Sequence, residues 1–213
     1  MFELVIFDCD GVLVDSEPIS NRVLAQAITE AGVATTTEES MSMYMGRRWE
    51  DSLTRIEARL GRALPASFSD SYRARRDAAL AAELQPVAGI AEAIARIPVA
   101  RCVASSGAPE KTRFTLGHTG LLELFEGRIF SGQEVEHGKP APDLFLHAAE
   151  RMGFDPSRCA VVEDTLVGVE AARAAGMTAF GYCGHFAAET MTAAGAQPFS
   201  SMTALPELLG LGA

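Results

Sequence analysis

Phe2-Glu-Leu-Val-Ile-Phe-Asp-Cys-Asp-Gly-Val-Leu-Val-Asp-Ser-Glu17 is the stretch on which the reading of the fold turns. Phe2 to Phe7 is a short apolar run, rich in β-branched and aromatic residues. Without strict polar alternation, such a run fits a strand buried on both faces of a parallel sheet. It ends in charge, at Asp8 and Asp10, and then reaches Gly11, which lets a chain turn sharply off a strand. Two carboxylates at the carboxyl end of a central strand stand where open α/β sheets bind ligands. At a separation of about 4 Å they repel by roughly 4 kcal/mol at an effective dielectric near 20. A cation or a proton relieves that repulsion. With both, an ionised Asp8 can act as nucleophile and a protonated Asp10 as general acid. Oxygen-only ligands select Mg²⁺ over softer metals. Two aspartates that merely cap a turn fit the same residues, so the pair alone leaves both readings open.

Outward from this stretch the chain alternates. Ser16 is a candidate N-cap with Pro18 in the first helical turn, and Ile19, Val23, Leu24, Ala27, Ile28 and Ala31 recur at helical spacing up to Gly32. Thr35 to Glu39 reads as a second helix start, Trp49 to Leu60 as an amphipathic helix closed by Gly61, and Pro65 opens a helical stretch to about Leu84. Residues 16–83 therefore hold helices and no strand, which predicts a small all-helical domain inserted into a core made of residues 1–15 and 84–213. In the core, apolar runs at Val99–Ala104, Arg128–Phe130, Cys159–Val162 and Met177–Tyr182 read as strands. Helices are expected at Ile90–Ile97, at Pro109–His118, from an opening at Lys139-Pro-Ala-Pro-Asp143 to Met152, at Leu166–Ala175 and at Ala187–Ala194. An edge strand at Gln197–Phe199 and a short helix near Leu205–Leu209 close the chain. Strand and helix in alternation predict an α/β fold with a doubly wound, Rossmann-like parallel sheet.

Polar groups follow three of these strands: Asp8 and Asp10, then Ser105-Ser106-Gly107, then Glu163 and Asp164. If the strands are neighbours, all three sets converge. Ser-Ser-Gly by itself is an ordinary turn, though its hydroxyl and backbone N–H groups also suit phosphate oxygens. The chain has two lysines, Lys111 and Lys139. Lys139 lies in Gly-Lys-Pro-Ala-Pro-Asp, where prolines stiffen the backbone around it.

Asp8-Cys-Asp-Gly-Val-Leu-Val-Asp-Ser-Glu17 resembles the first motif of the haloacid dehalogenase-like superfamily. Ser105, Lys139 and Val161-Val-Glu-Asp-Thr-Leu-Val-Gly168 resemble its second, third and fourth motifs, in that order along the chain. The resemblance implies roles. Asp8 would be phosphorylated and Asp10 would be the acid/base. Cys9, Ser105, Ser106, Gly107 and Lys139 would bind phosphate, Cys9 through its backbone. Asp8, Asp10 and Asp164 would hold Mg²⁺, with Glu163 acting through water or holding Lys139. It implies a phosphatase acting through an aspartyl-phosphate, with the helical insert as a cap. Gly46-Arg-Arg-Trp-Glu-Asp-Ser-Leu53 matches the cap loop that touches substrate, so Arg47 or Arg48 could contact the leaving group; a solvated basic turn is the other reading. Trp49 suits packing more than recognition, and Arg73, Arg75 and Arg76 suit a solvated face. The segment is similar to sugar-phosphate phosphatases, the 6-phosphogluconate type among them.

A β-phosphoglucomutase-like mutase is the enzyme alternative, weakened because Ser20 stands where that family carries a His. A phospho-accepting receiver module needs its acidic pair before the phosphorylated Asp and has no helical insert. The net charge of −10 over 213 residues argues against a general nucleic-acid binder. No apolar run approaches a membrane span, and the chain opens on a strand without a signal core. A soluble cytoplasmic enzyme is expected, acting on a small phosphorylated metabolite without nucleic-acid or membrane partners. A monomer is the expected state and a dimer the alternative. Cys9, Cys102, Cys159 and Cys183 lack metal or redox spacing and read as buried thiols. Cys9 should point away from the aspartates by strand alternation. His118, His137, His147 and His185 read as surface or structural.

Overall fold

The structure is a computed structural model describing residues 1–211. Its six strands are β1 (Leu4–Phe7), β2 (Ala100–Ser105), β3 (Ile129–Ser131), β4 (Cys159–Glu163), β5 (Thr178–Tyr182) and β6 (Gln197–Phe199). They form one sheet in the order β3-β2-β1-β4-β5-β6, and every pairing is parallel. β1 is central, with Phe7 in register with Val103 of β2 and Val162 of β4. One residue further, Asp8 is level with Ala104 and Glu163, and its N–H still donates to the Val162 carbonyl at 3.0 Å. The strand-end groups are therefore neighbours because the register makes them so.

Side-chain alternation divides the core. Val5, Phe7, Val103, Ala160, Val162 and Phe180 face one side. There they meet Ile90 and Ile94 of α5 (Ile90–Ala95), Leu116 of α6 (Pro109–His118), and Met202 and Leu205 near the C-terminus. Leu4, Ile6, Cys102, Ala104, Cys159, Val161 and Ala179 face the other. They pack on α7 (Asp143–Met152), α8 (Leu166–Ala174) and α9 (Ala188–Ala194). Helices on both faces explain why these strands read as continuous apolar runs.

Between β1 and α5 lie four helices: α1 (Glu17–Ala31), α2 (Thr37–Tyr44), α3 (Trp49–Leu60) and α4 (Phe68–Glu83). They share an apolar cluster of their own, including Val23, Ile28, Tyr44, Ile56, Phe68 and Tyr72. Thr36 and Glu39 close a reciprocal capping box at the start of α2. Pro65 does not begin α4. It heads a turn, Phe68 N–H to Pro65 O at 2.9 Å, and the helix follows. Ile19 at the start of α1 and Leu80 at the end of α4 belong to the sheet's cluster, so the insert is rooted in the core at both ends. No helix among the described residues is long and apolar enough to cross a membrane.

Candidate active site

The carboxyl ends of β1, β2 and β4 form a shelf, and Lys139 reaches into it from the loop before α7. Its Nζ donates to Asp8 Oδ1 and to Glu163 Oε1, each at 2.6 Å, and to the Ala104 carbonyl at 3.4 Å. It also lies 4.9 Å from the centre of the Phe145 ring. The Lys139–Pro140 bond is cis. Lys139 is 2% exposed. Burial works against its charge, but Asp8 and Glu163 outweigh that and raise its affinity for the proton. Glu163 has no oxygen left over, since its Oε2 accepts from the N–H and the hydroxyl of Thr165, both at 2.8 Å. The carboxylate fits only because position 168 is glycine: a Cβ there would overlap it. Glu163 thus grips Lys139, one of the two roles the resemblance allowed it.

Asp164, beside it, is in the opposite condition. It is 0% exposed, and neither carboxylate oxygen has a hydrogen-bond partner among the described residues. Gly11 presses against it at φ 76°, a conformation and a clearance that a side chain would deny. Burial pushes the Asp164 carboxyl well above the usual range, and Glu163 and Asp8 add to the effect. Burial likewise pushes Asp8 to about 7, with Lys139 pulling the other way. Buried oxygens without partners call for one. Among the described residues, the direct ion-pair partners of Asp8, Asp10, Glu163 and Asp164 are Lys139 and Lys111, an imbalance suited to a hard divalent cation. Among the described residues no three acidic, imidazole or thiol groups close into a cage. The fit therefore rests on the oxygens of Asp164 and on the charge balance.

Asp10 departs from expectation. Lys111 Nζ and Ser16 Oγ both donate to its Oδ1. Burial alone would raise its carboxyl, but Lys111 and these hydrogen bonds hold it below the usual carboxylate range. The proton assigned to Asp10 on the sequence is thus opposed by a cation that no motif announced. Ser16 stands at the N-cap position of α1 but makes no side-chain cap; its hydroxyl goes to Asp10 instead. The available signal for Lys111 was its rarity and its place in the first turn of the helix after Ser105-Ser106-Gly107.

Ser105 is 1% exposed and its Oγ accepts from the Gly107 N–H at 3.1 Å. The Ser106 hydroxyl, expected on phosphate, donates to the Gly46 carbonyl at 3.0 Å and so ties the shelf to the helical insert. Cys9 Sγ lies on the far side of β1, 3.8 Å from Thr115 Oγ1, as strand alternation required. Arg47 lines the cavity and makes no ion pair or hydrogen bond among the described residues. Arg48, the other residue expected near the leaving group, is turned away. Its Nη1 donates to the Glu136 carbonyl at 3.1 Å and its Nε meets Asp51 at 3.5 Å. His137 pairs with Asp143 at 3.0 Å, away from the shelf.

Between shelf and helices lies a cavity of about 640 Å³. Asp8, Asp10, Ser106 and Lys111 form its floor, and Arg47, Trp49, Tyr72 and Arg76 contribute the opposite wall. Trp49 stacks on Tyr72 with ring centres 4.7 Å apart and donates to Ser69 Oγ at 3.1 Å. It therefore both packs the insert and faces the cavity.

Residues 2–176 match the family model of haloacid dehalogenase-like hydrolases. The 6-phosphogluconate phosphatase of Escherichia coli K12 is 30% identical over 207 residues, covering 97% of this chain and 94% of that protein. The fructose-1-phosphate phosphatase of the same organism is 31% identical over 178 residues, covering 82% of this chain and 93% of the relative. A crystal structure of a conserved haloacid dehalogenase-like protein of unknown function from Agrobacterium tumefaciens superposes with a TM-score of 0.84. It is 35% identical and covers 99% of this chain and 98% of the other.

Proposed function

Because the chain belongs to the haloacid dehalogenase-like hydrolases, we propose that it is a Mg²⁺-dependent phosphatase that cleaves a small sugar or sugar-acid phosphate monoester through an aspartyl-phosphate on Asp8. The carrying observation is Lys139 clamped between Asp8 and Glu163 at 2.6 Å on each side. Next to it stands Asp164, its carboxylate without a partner among the described residues. The names of the two Escherichia coli relatives support the substrate class.

In this reading Ser105 and Lys139 receive the phosphoryl oxygens, with backbone N–H groups near Cys9, Asp10 and Gly107. An Asp8 oxygen bonds to phosphorus as the ester oxygen leaves from the opposite side. Asp10, which must first take up a proton on Oδ2 against the pull of Lys111, gives that oxygen its proton and then takes one from the water that releases phosphate and restores Asp8. Both donors to Asp10 use Oδ1, which leaves Oδ2 for the travelling proton. Mg²⁺, held by Asp8, Asp10 and Asp164 with Glu163 behind, would neutralise charge on the phosphoryl group. Lys139 lies close enough to share that work and to keep Asp8 ionised. Residues 16–83 serve as the cap that excludes water and, through Arg47, meets the leaving group. No imidazole lines the cavity among the described residues, which favours water over a sugar hydroxyl as acceptor and hence a phosphatase over a mutase.

A panel of phosphate esters with Mg²⁺ tests the reading. Wild-type protein should release inorganic phosphate over many turnovers, and Asp8→Asn should lower the rate by about 10⁴-fold or more. Phosphate release undiminished in Asp8→Asn would remove the nucleophile and the mechanism with it.

A further inference from the structure

The face of α1 that looks into the cavity carries polar groups the chemistry above does not use. Glu17, Ser20 and Asn21 all line the cavity, and spacings of three and four residues place them on one side of the helix. Asn21 Nδ2 donates to Glu17 Oε2 at 2.7 Å and to the Glu17 carbonyl at 3.0 Å. Asn21 Oδ1 accepts from Ser40 Oγ at 2.8 Å. This chain from α2 through α1 holds the Glu17 carboxyl in one position. Its Oε1 has no protein partner among the described residues, and the Glu17 side chain is only 9% exposed. Ser20 Oγ, one turn along, is buried and also unpartnered. A buried hydroxyl left open costs stability unless a further group completes it, and the free Glu17 oxygen belongs to the same helix face one turn away.

The geometry points to Glu17, braced by Asn21 and Ser40 and flanked by Ser20, as the residue that recognises a hydroxyl on the leaving group and so selects polyol phosphates over esters without one. The inference rests on the phosphatase reading. Burial, with the Asp10 charge adding, pushes the Glu17 carboxyl up to about 8, so near neutral pH it can donate as well as accept. Ser16, the residue before Glu17, donates to Asp10, and Glu17 lines the same cavity as Asp8 and Asp10. Glu17 therefore stands beside the reacting groups and meets the hydroxyl on the carbon next to the ester carbon. A site built to pair a hydroxyl discriminates strongly against an analogue lacking it, because its own buried group is then left open.

sn-Glycerol 3-phosphate and n-propyl phosphate have the same chain length, and only the first carries that adjacent hydroxyl. The ratio of their kcat/KM values with Mg²⁺ is the readout, and loss of general activity cancels in it. Wild type should prefer the glycerol ester. Glu17→Leu should reduce the preference about tenfold or more, and Glu17→Gln, which keeps a donor and an acceptor, should hold it within about threefold. An unchanged ratio in Glu17→Leu, with both rates lowered together, would reduce Glu17 to a brace for α1 and overturn the assignment. If Glu17→Leu does not fold, Glu17→Asp, which withdraws the carboxyl by one methylene, carries the same test. A wild type that hydrolyses esters without preferring the glycerol one sinks only the Glu17 assignment. A wild type that hydrolyses no ester in the panel sinks the phosphatase reading instead.

Discussion

The shelf of strand ends and the helical insert that forms the wall across the cavity, its outer surface included, hold ion pairs of nearly equal length in unequal surroundings. On the shelf, Lys139 meets Asp8 and Glu163 at 2.6 Å with its side chain 1% exposed. On the wall, Arg22 meets Glu83 at 2.8 Å with side chains 44% and 49% exposed. Arg75 meets Glu30 at 2.9 Å, also in solvent. Distance therefore does not tell the two apart. Water screens the wall pairs, and their long side chains give up rotamer freedom to form them. On the shelf a carboxylate that loses its ammonium has no solvent to turn to. The core can hold a charged constellation rigidly because sheet register sets its spacing. The wall presents side chains from helices with an apolar cluster of their own, which suits recognition more than chemistry.

Removing the shelf's cation should have the largest effect. Lys139→Met keeps the length and the contact with Phe145 but leaves Asp8 and Glu163 facing one another without a counter-charge. Breaking a buried pair in this way costs about 3–5 kcal/mol. Urea unfolding should show the midpoint falling with an unchanged slope, and phosphate release should drop below detection. A variant that melts with the wild type would mean that the shelf is as well solvated as the wall.

Glu17 stands where the two regions meet, and its effect should be intermediate and pH-dependent. Burial pushes its carboxyl up to about 8 in the folded protein, against an ordinary value of 4.5. Between those values the folded protein binds more protons than the unfolded chain, so stability falls as pH rises through that window. The slope is at most about 1.4 kcal/mol per pH unit. Glu17→Gln has no proton to lose and keeps the amide contact to Asn21. Its melting temperature should therefore gain on wild type as pH goes from 5 to 8, roughly the interval from 4.5 to 8. A constant difference across that range would place Glu17 with the solvated groups of the wall.

The two regions also differed in how far they could be read from sequence. Each shelf residue follows an apolar run, and a strand that ends in charge announces itself: Asp8 after Phe7, Ser105 after Ala104, Glu163 after Val162. Every core element expected from hydrophobic periodicity is present, with ends shifted by a residue or two. The parallel register then brings together residues as distant in sequence as Asp8 and Lys139. Lys111 and Glu17 were not legible as site residues. Each sits in the first turn of a helix, where a charged side chain is ordinarily solvated, and an acid such as Glu17 already has a local reason to be there in the helix dipole. Only the tertiary fold, which turns these two first turns toward the same cavity, makes them part of a site. Ser16 shows the same limit, since its hydroxyl had a helix amide within reach and tertiary structure offered Asp10 instead. Arg48 shows the converse: its position in the cap loop fits substrate contact, but the nearby Glu136 carbonyl captures it.

The wall's own pairs should give the smallest effect. Arg22 Nη2 reaches both oxygens of Glu83, at 2.8 Å each, joining the beginning of α1 to the end of α4. By geometry alone it would be a brace at the root of the helical insert. Both partners are about half exposed, however, and Ile19 and Leu80 already fasten the same two helix ends to the sheet by apolar burial. Arg22→Ala should therefore cost less than about 1 kcal/mol. Moderate salt should erase most of the difference from wild type, because a pair open to solvent is screened within about 10 Å at 0.1 M. Urea unfolding of both proteins at low and high salt measures this directly. A loss of several kcal/mol that persists at high salt would mean that charge, and not the apolar contacts of Ile19 and Leu80, anchors the helices, and the division between a rigid charged core and a loosely charged wall would fail at its hinge.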